Sequence, residues 1–153
     1  MQELLQAFKF QERKSLKNFF VNMLEEFITN YLSLPDFDAL VSVPMDVRKE
    51  GQRGFNQALL LSRTLAKKLQ IEDLSSFLKK KNSALTQSLL NRGQRAKNIE
   101  GSFVVKNPET LAGKKILLID DILTTGFTAS ECAKTLKQSG AVSVSVLAVA
   151  RGF

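Results

Sequence analysis

Residues 116–130, ILLIDDILTTGFTAS, constrain the fold more than any other stretch of the chain. Four apolar residues, Ile116 to Ile119, run directly into two adjacent carboxylates, Asp120 and Asp121. A turn carrying Thr124, Thr125, Gly126 and Thr128 follows, and helical spacing begins at Ala129. A short apolar run closed by polar residues predicts a buried strand. A helix that starts behind a Gly-containing turn presents unpaired backbone N–H groups and a positive dipole end, which suits an anion.

The same alternation continues along the chain. Leu16, Phe19, Phe20, Met23, Leu24, Phe27 and Ile28 predict a helix over 15–34 whose aromatic stripe lies in the core, ended by Pro35. Ala39–Val43 predicts a buried strand closed by Pro44. Asn56–Leu69 predicts a helix capped by Asn56, with Leu59, Ser62, Leu65, Ala66 and Leu69 on its apolar face. Strands are predicted at 75–81, 102–105, 115–119 and 142–149. A helix over 129–139 turns Ala129, Cys132, Ala133 and Leu136 inward and stops at Gly140. The polar stretch 83–99 is long for a connection inside a compact domain, and such loops are often functional lids. This order predicts one α/β domain over 1–153, with a mostly parallel central sheet flanked by helices and ligands beyond the carboxyl ends of the strands.

Composition narrows the chemistry. The chain has no histidine, which excludes Ser-His-Asp and Cys-His activation and His-ligated metals. Its single cysteine, Cys132, makes no internal disulfide and no zinc site alone, and its helical position reads as core. No segment approaches the ~20 consecutive apolar residues of a membrane span, and the N-terminus has no signal-peptide pattern, so a cytoplasmic chain without membrane insertion is expected. The net charge is +7, but Arg48–Lys97 holds twelve Lys and Arg against Glu50, Glu72 and Asp73, or +9, leaving −2 elsewhere. That regional excess predicts an anionic partner. The run Lys79–Lys81 by itself reads as a solvated face.

Carboxylates repel phosphate, so Asp120 and Asp121 should meet something neutral or cationic beside it. Vicinal sugar hydroxyls fit, as does Mg²⁺ held mainly by ligand oxygens. Phosphate at the turn and a diol at the acids describe ribose 5-phosphate. The Walker A pattern is absent. An acidic pair alone also occurs as a helix cap or as a partner of surface lysines; the ordered set of strand, acid pair, TTGxT and amphipathic helix is more specific.

ILLIDDILTTGFT resembles the phosphoribosyl pyrophosphate (PRPP) loop of type I phosphoribosyltransferases. SVPMDVRKEGQRGFNQALLLSRTLA, TQSLLNRGQRAKNIEGSF and LAVARG resemble successive segments of the ComF (ComFC) proteins of bacterial competence, and the likeness runs from Phe8 to Arg151. It implies a type I phosphoribosyltransferase-like fold, PRPP bound with Mg²⁺, and transfer through an oxocarbenium-like state without a protein nucleophile. It also implies that Thr124, Thr125, Gly126, Phe127 and Thr128 hold the 5-phosphate while Asp120 and Asp121 hold the ribose. Pro44, Met45 and Asp46 resemble the pyrophosphate loop, with Arg48, Lys49 and Arg53 as nearby cations. Arg92 and Arg95 would arrive on the 83–99 lid, and residues 1–34 would serve as a hood. A role in DNA uptake follows, with single-stranded DNA and a helicase-like competence protein as implied partners. A non-catalytic PRPP sensor or a DNA-binding module is the alternative. Family members usually begin with a four-cysteine zinc module, so the resemblance implies a short or truncated form. Phe127 stands where the family typically has a small residue, its ring turned outward or narrowing the pocket.

Overall fold

The computed structural model describes residues 14–32, 36–81 and 99–152. In chain order the elements are α1 (Lys14–Tyr31), β1 (Ala39–Ser42), α2 (Val47–Arg53), α3 (Gln57–Leu69), β2 (Glu72–Asp73), β3 (Leu78–Lys80), β4 (Phe103–Val105), a 3₁₀ turn (Pro108–Leu111), β5 (Lys115–Leu123), α4 (Phe127–Gln138) and β6 (Ser143–Arg151). Four strands form a parallel sheet in the order β2-β1-β5-β6, and β3 pairs antiparallel with β4 in a separate ribbon.

Strand alternation explains the layering. Leu40 on β1 and Leu117 and Ile119 on β5 share one core with Phe20, Val21, Leu24 and Ile28 of α1 and Leu61, Leu65 and Ala66 of α3. Their neighbours Ala39, Val41, Val43, Ile116 and Leu118 face the other way, into a core with Ala129, Cys132 and Leu136 of α4 and with Leu78 and Phe103 of the ribbon. Successive residues of a strand point to opposite faces, so a strand buried on both sides reads as a continuous apolar run. This is a type I phosphoribosyltransferase-like α/β fold with helices on both faces of the sheet.

Several sequence expectations shift. The predicted strand 115–119 continues to Leu123, because β6 pairs with it through Leu123↔Arg151. The two acids therefore lie within the last turns of the strand rather than after it. The aromatic stripe of α1 is only partly core: Phe20 is fully buried, whereas Phe19 and Phe27 are 49% and 43% exposed. Helix α3 is rotated relative to expectation, burying Ala58 and Leu61 more deeply than Leu59 and Leu69. Asn56 caps it as predicted, its Oδ1 accepting from the Leu59 N–H at 3.2 Å. Three elements, the 3₁₀ turn among them, were not legible in the sequence. Helix α2 buries none of its residues and so carries no apolar stripe. Strand β2 is two residues long and follows a left-handed cap at Gln70.

Candidate functional site

The cleft arises where two neighbouring strands part. Strand β1 pairs with β5 up to Ser42↔Ile119, and the Val43 N–H makes one further bond to the Ile119 carbonyl at 2.9 Å. Pro44 then turns the chain away towards α2 and α3. Strand β5 runs four residues further with β6 as its neighbour and then feeds α4 on the opposite face. Adjacent parallel strands whose following helices lie on opposite faces leave a crevice at their carboxyl ends.

That crevice holds about 240 Å³. One wall carries Asp120, Asp121, Thr124, Thr125, Gly126 and Thr128; the other carries Pro44, Met45, Asp46, Lys49, Arg53 and Lys80. Asp120 is 9% exposed, on the α4 side of the strand by alternation, and Asp121 is half-buried on the other. Each carboxylate is held by the next backbone amide: Asp120 Oδ1 accepts from the Asp121 N–H at 2.9 Å, and Asp121 Oδ1 from the Ile122 N–H at 2.8 Å. These bonds fix the side chains while leaving each second oxygen to other contacts.

Gly126 is the N-cap of α4 at φ 79°, and no side chain caps the helix. A left-handed φ is cheap only for glycine. The helix start therefore has no side-chain acceptor for its first amides, and Gly126, Thr128 and Ala129 border the crevice. The turn is backed by the end of β6, where the Gly152 N–H bonds the Leu123 carbonyl at 2.9 Å. A Cβ at Gly152 would come within 3.0 Å of Thr124 Cγ2, so a larger residue there would push on the turn.

On the far wall, Asp46 caps α2 by accepting from the Arg48 N–H at 3.1 Å, and Lys80 Nζ lies 3.8 Å from its other oxygen. The Asn56 amide donates to the Val43 carbonyl at 3.2 Å and so ties α3 to the turn after β1. The end of β1 is anchored by buried hydroxyls: the Ser42 N–H donates to Ser75 Oγ at 2.8 Å, and Ser75 and Ser62 both donate to Asp73 Oδ2. Cys132 is fully buried, and its thiol pKa is pushed well up by desolvation and then by the negative charges of Asp120 and Glu131.

The crevice thus gathers Asp120, Asp121, Thr124, Thr125, Gly126, Thr128, Pro44, Met45 and Arg53. Two expected residues do not line it. Arg48 and Lys49 are both exposed on α2, and of the two it is Lys49 that borders the crevice. Phe127 is 45% exposed and does not border the crevice. Arg92 and Arg95 lie outside the described residues. Lys80 was missed because Lys79–Lys81 looked like a uniform charged face. The signal was period two: Leu78 is buried, Lys79 exposed and Lys80 half-buried, so Lys80 shares the inward face.

A parallel sheet with a crevice of this kind, lined by an acid pair, a helix start without a side-chain cap and three cations, defines an α/β protein with a polar cleft at the carboxyl ends of its strands. Residues 52–152 match the model of the phosphoribosyl transferase domain, and the chain belongs to that family. It is 30% identical to Competence protein F of Haemophilus influenzae over 97% of this chain and 66% of that protein. It is 31% identical to DNA utilization protein YhgH of Escherichia coli K12 over the same shares. It is also 31% identical to Competence protein ComFC of Streptococcus pneumoniae, over 99% of this chain and 63% of that one. The chain thus spans about two thirds of the length of these relatives. Among solved structures it resembles adenine phosphoribosyltransferase from Saccharomyces cerevisiae, with TM-score 0.62, 15% identity, and coverage of 92% of this chain and 71% of that one. It also resembles the glutamine PRPP amidotransferase of B. subtilis, with TM-score 0.57, 15% identity, and coverage of 88% and 26%.

Proposed function

We propose that the crevice binds PRPP together with Mg²⁺, and that the chain is a phosphoribosyltransferase-type domain acting in DNA uptake. The observation that carries this reading is the opening between β1 and β5, which sets the acid pair and the uncapped threonine–glycine turn against Lys49, Arg53 and Lys80. The turn takes the 5-phosphate on the amides and hydroxyls of Thr124–Thr128. Asp120 and Asp121 accept hydrogen bonds from the ribose diol. Lys49 and Arg53 face the pyrophosphate that would leave from C1. The protein's part is to position the sugar and to stabilise charge developing on the leaving group.

The residues fit the metal in one specific way. Among the described residues no cluster of three or more His, Cys, Asp or Glu forms a metal cage. Mg²⁺ would therefore be carried mainly by ligand oxygens, with Asp120 and Asp121 within reach through water. When bound it neutralises charge on the departing pyrophosphate.

The names of the relatives, competence and DNA utilization, support a role beside the DNA-uptake machinery. Single-stranded DNA is the partner this charge pattern favours. Helix α2 presents Arg48 and Lys49 to solvent, and the Lys80–Asp46 contact brings the lysine strand β3 against it. Among the described residues no helix is long and apolar enough to cross a membrane; a cytoplasmic location is part of the DNA-uptake reading and rests on the names of the relatives. Calorimetric titration of the protein with PRPP and Mg²⁺ tests the central reading: saturable binding in the micromolar range or tighter is expected, and no heat of binding ends it. Turnover of labelled PRPP against a panel of bases then separates a transferase from a sensor.

A further inference from the structure

Three cations and three carboxylates line the crevice: Lys49, Arg53 and Lys80 against Asp46, Asp120 and Asp121. The acids on β5 have a use in the PRPP reading. Asp46 has none, because it sits on the pyrophosphate wall, where a carboxylate repels the ligand. Its two oxygens do separate things. Oδ1 accepts the Arg48 N–H and caps α2, whereas Oδ2 lies 3.8 Å from Lys80 Nζ. That separation exceeds a hydrogen bond, so charge holds the pair without a strong directional bond. Both side chains are partly shielded, 18% exposed for Lys80 and 28% for Asp46.

We propose that Asp46 is a built-in stand-in for the ligand: in the empty crevice it neutralises Lys80, and an incoming pyrophosphate oxygen replaces it. Lys80 is then an anion-binding residue of the leaving-group wall, and Asp46 sets how strongly anions compete for it. This rests on the PRPP reading and adds a regulation of the same site. The pair crosses from the turn after β1 to the antiparallel ribbon, which the shared core of Val43, Leu78 and Phe103 also holds in place.

The test uses inorganic pyrophosphate in a Mg²⁺-free buffer, and PRPP with Mg²⁺ in parallel. Wild type, Asp46→Asn, Lys80→Gln and the double variant are titrated by calorimetry at low salt. Asparagine keeps the capping oxygen and loses only the charge, so α2 is preserved; circular dichroism checks that it is. Asp46→Asn should bind pyrophosphate roughly three- to tenfold more tightly, the effect of one removed counter-charge at a partly exposed pair. Lys80→Gln should bind it about tenfold more weakly. In the double variant the gain from Asp46→Asn should vanish, because the competition acts through Lys80. Weaker binding by Asp46→Asn, or an equal gain with and without Lys80, overturns the proposal. If wild type binds PRPP while Asp46→Asn gains nothing, the stand-in falls and the PRPP reading stands. If pyrophosphate binding behaves as expected but PRPP does not bind, the reverse holds. Binding of neither probe overturns both.

Discussion

Asp120 and Asp121 are neighbours in sequence yet lean to opposite sides of β5, and both still reach the crevice because β1 has already turned away beside them. Asp120→Asn with Asp121→Asn keeps each amide-accepting oxygen and removes only charge. Thermal stability should stay near wild type, while PRPP affinity falls on the order of 100-fold or more, two charge-assisted hydrogen bonds having been weakened. An unchanged isotherm would separate the pair from the ligand. Cys132 makes a different kind of prediction. Burial raises its thiol pKa, so the folded chain keeps a proton that the unfolded chain releases above about pH 8.5. Its contribution to stability is complete below that pH and is lost as pH rises further. The melting temperature of wild type should fall more steeply over that alkaline range than that of Cys132→Ala, and iodoacetamide should label Cys132 only in denaturant. Rapid labelling of the native protein would contradict the burial. The acid pair and the glycine turn were legible as residues. The roles of Asp46 and Lys80 at the crevice were not, since each depends on an element about 34 positions away in the chain.

Elements show the same division. The end of β1 is set by a side chain, because β2 is too short to supply a backbone partner for Ser42: Ser75 Oγ takes that N–H in a fully shielded setting. Removing the hydroxyl in Ser75→Ala leaves a buried amide without its acceptor, a loss of about 1–3 kcal/mol. Urea denaturation should show an earlier midpoint with an unchanged slope. Because Val43 and Pro44 follow directly, PRPP affinity should fall as well if this anchor positions the leaving-group wall. Helix α4 and strand β5 were predictable because apolar periodicity and a glycine turn act locally. Helix α2 was not, because it buries nothing and is fixed instead by the Asp46 cap and by Gly54 at φ 84°. The width of the apolar face of α1 was overestimated because periodicity marks which residues share a side, not how much of that side another layer covers.

At the scale of the molecule, charge distribution carries the partner prediction. A chain of net +7 whose basic excess is concentrated in 48–97 should bind single-stranded DNA through phosphates. The aromatic side chains in that segment are Phe55 and Phe77, both half-buried, so base stacking adds little. Affinity for an unstructured oligonucleotide should fall steeply and linearly with salt on logarithmic axes when followed by fluorescence anisotropy between about 50 and 200 mM salt. A flat profile would remove the electrostatic groove. The same titration with saturating PRPP tells whether the crevice and the basic surface communicate.

Local chemistry in the sequence determined that β5 would be a buried strand, that a glycine-containing turn would follow it, that two acids would stand beside that turn, and that Asn56 would begin a helix. Each of these follows from interactions within a few residues: apolar spacing, a glycine's freedom at positive φ, a cap. Only the tertiary structure decided where β1 leaves β5, which of three consecutive lysines faces inward, and that Lys49 rather than Arg48 lines the crevice. Those outcomes depend on strand register and on which layer covers which face, and both are fixed by packing between segments that no local pattern connects.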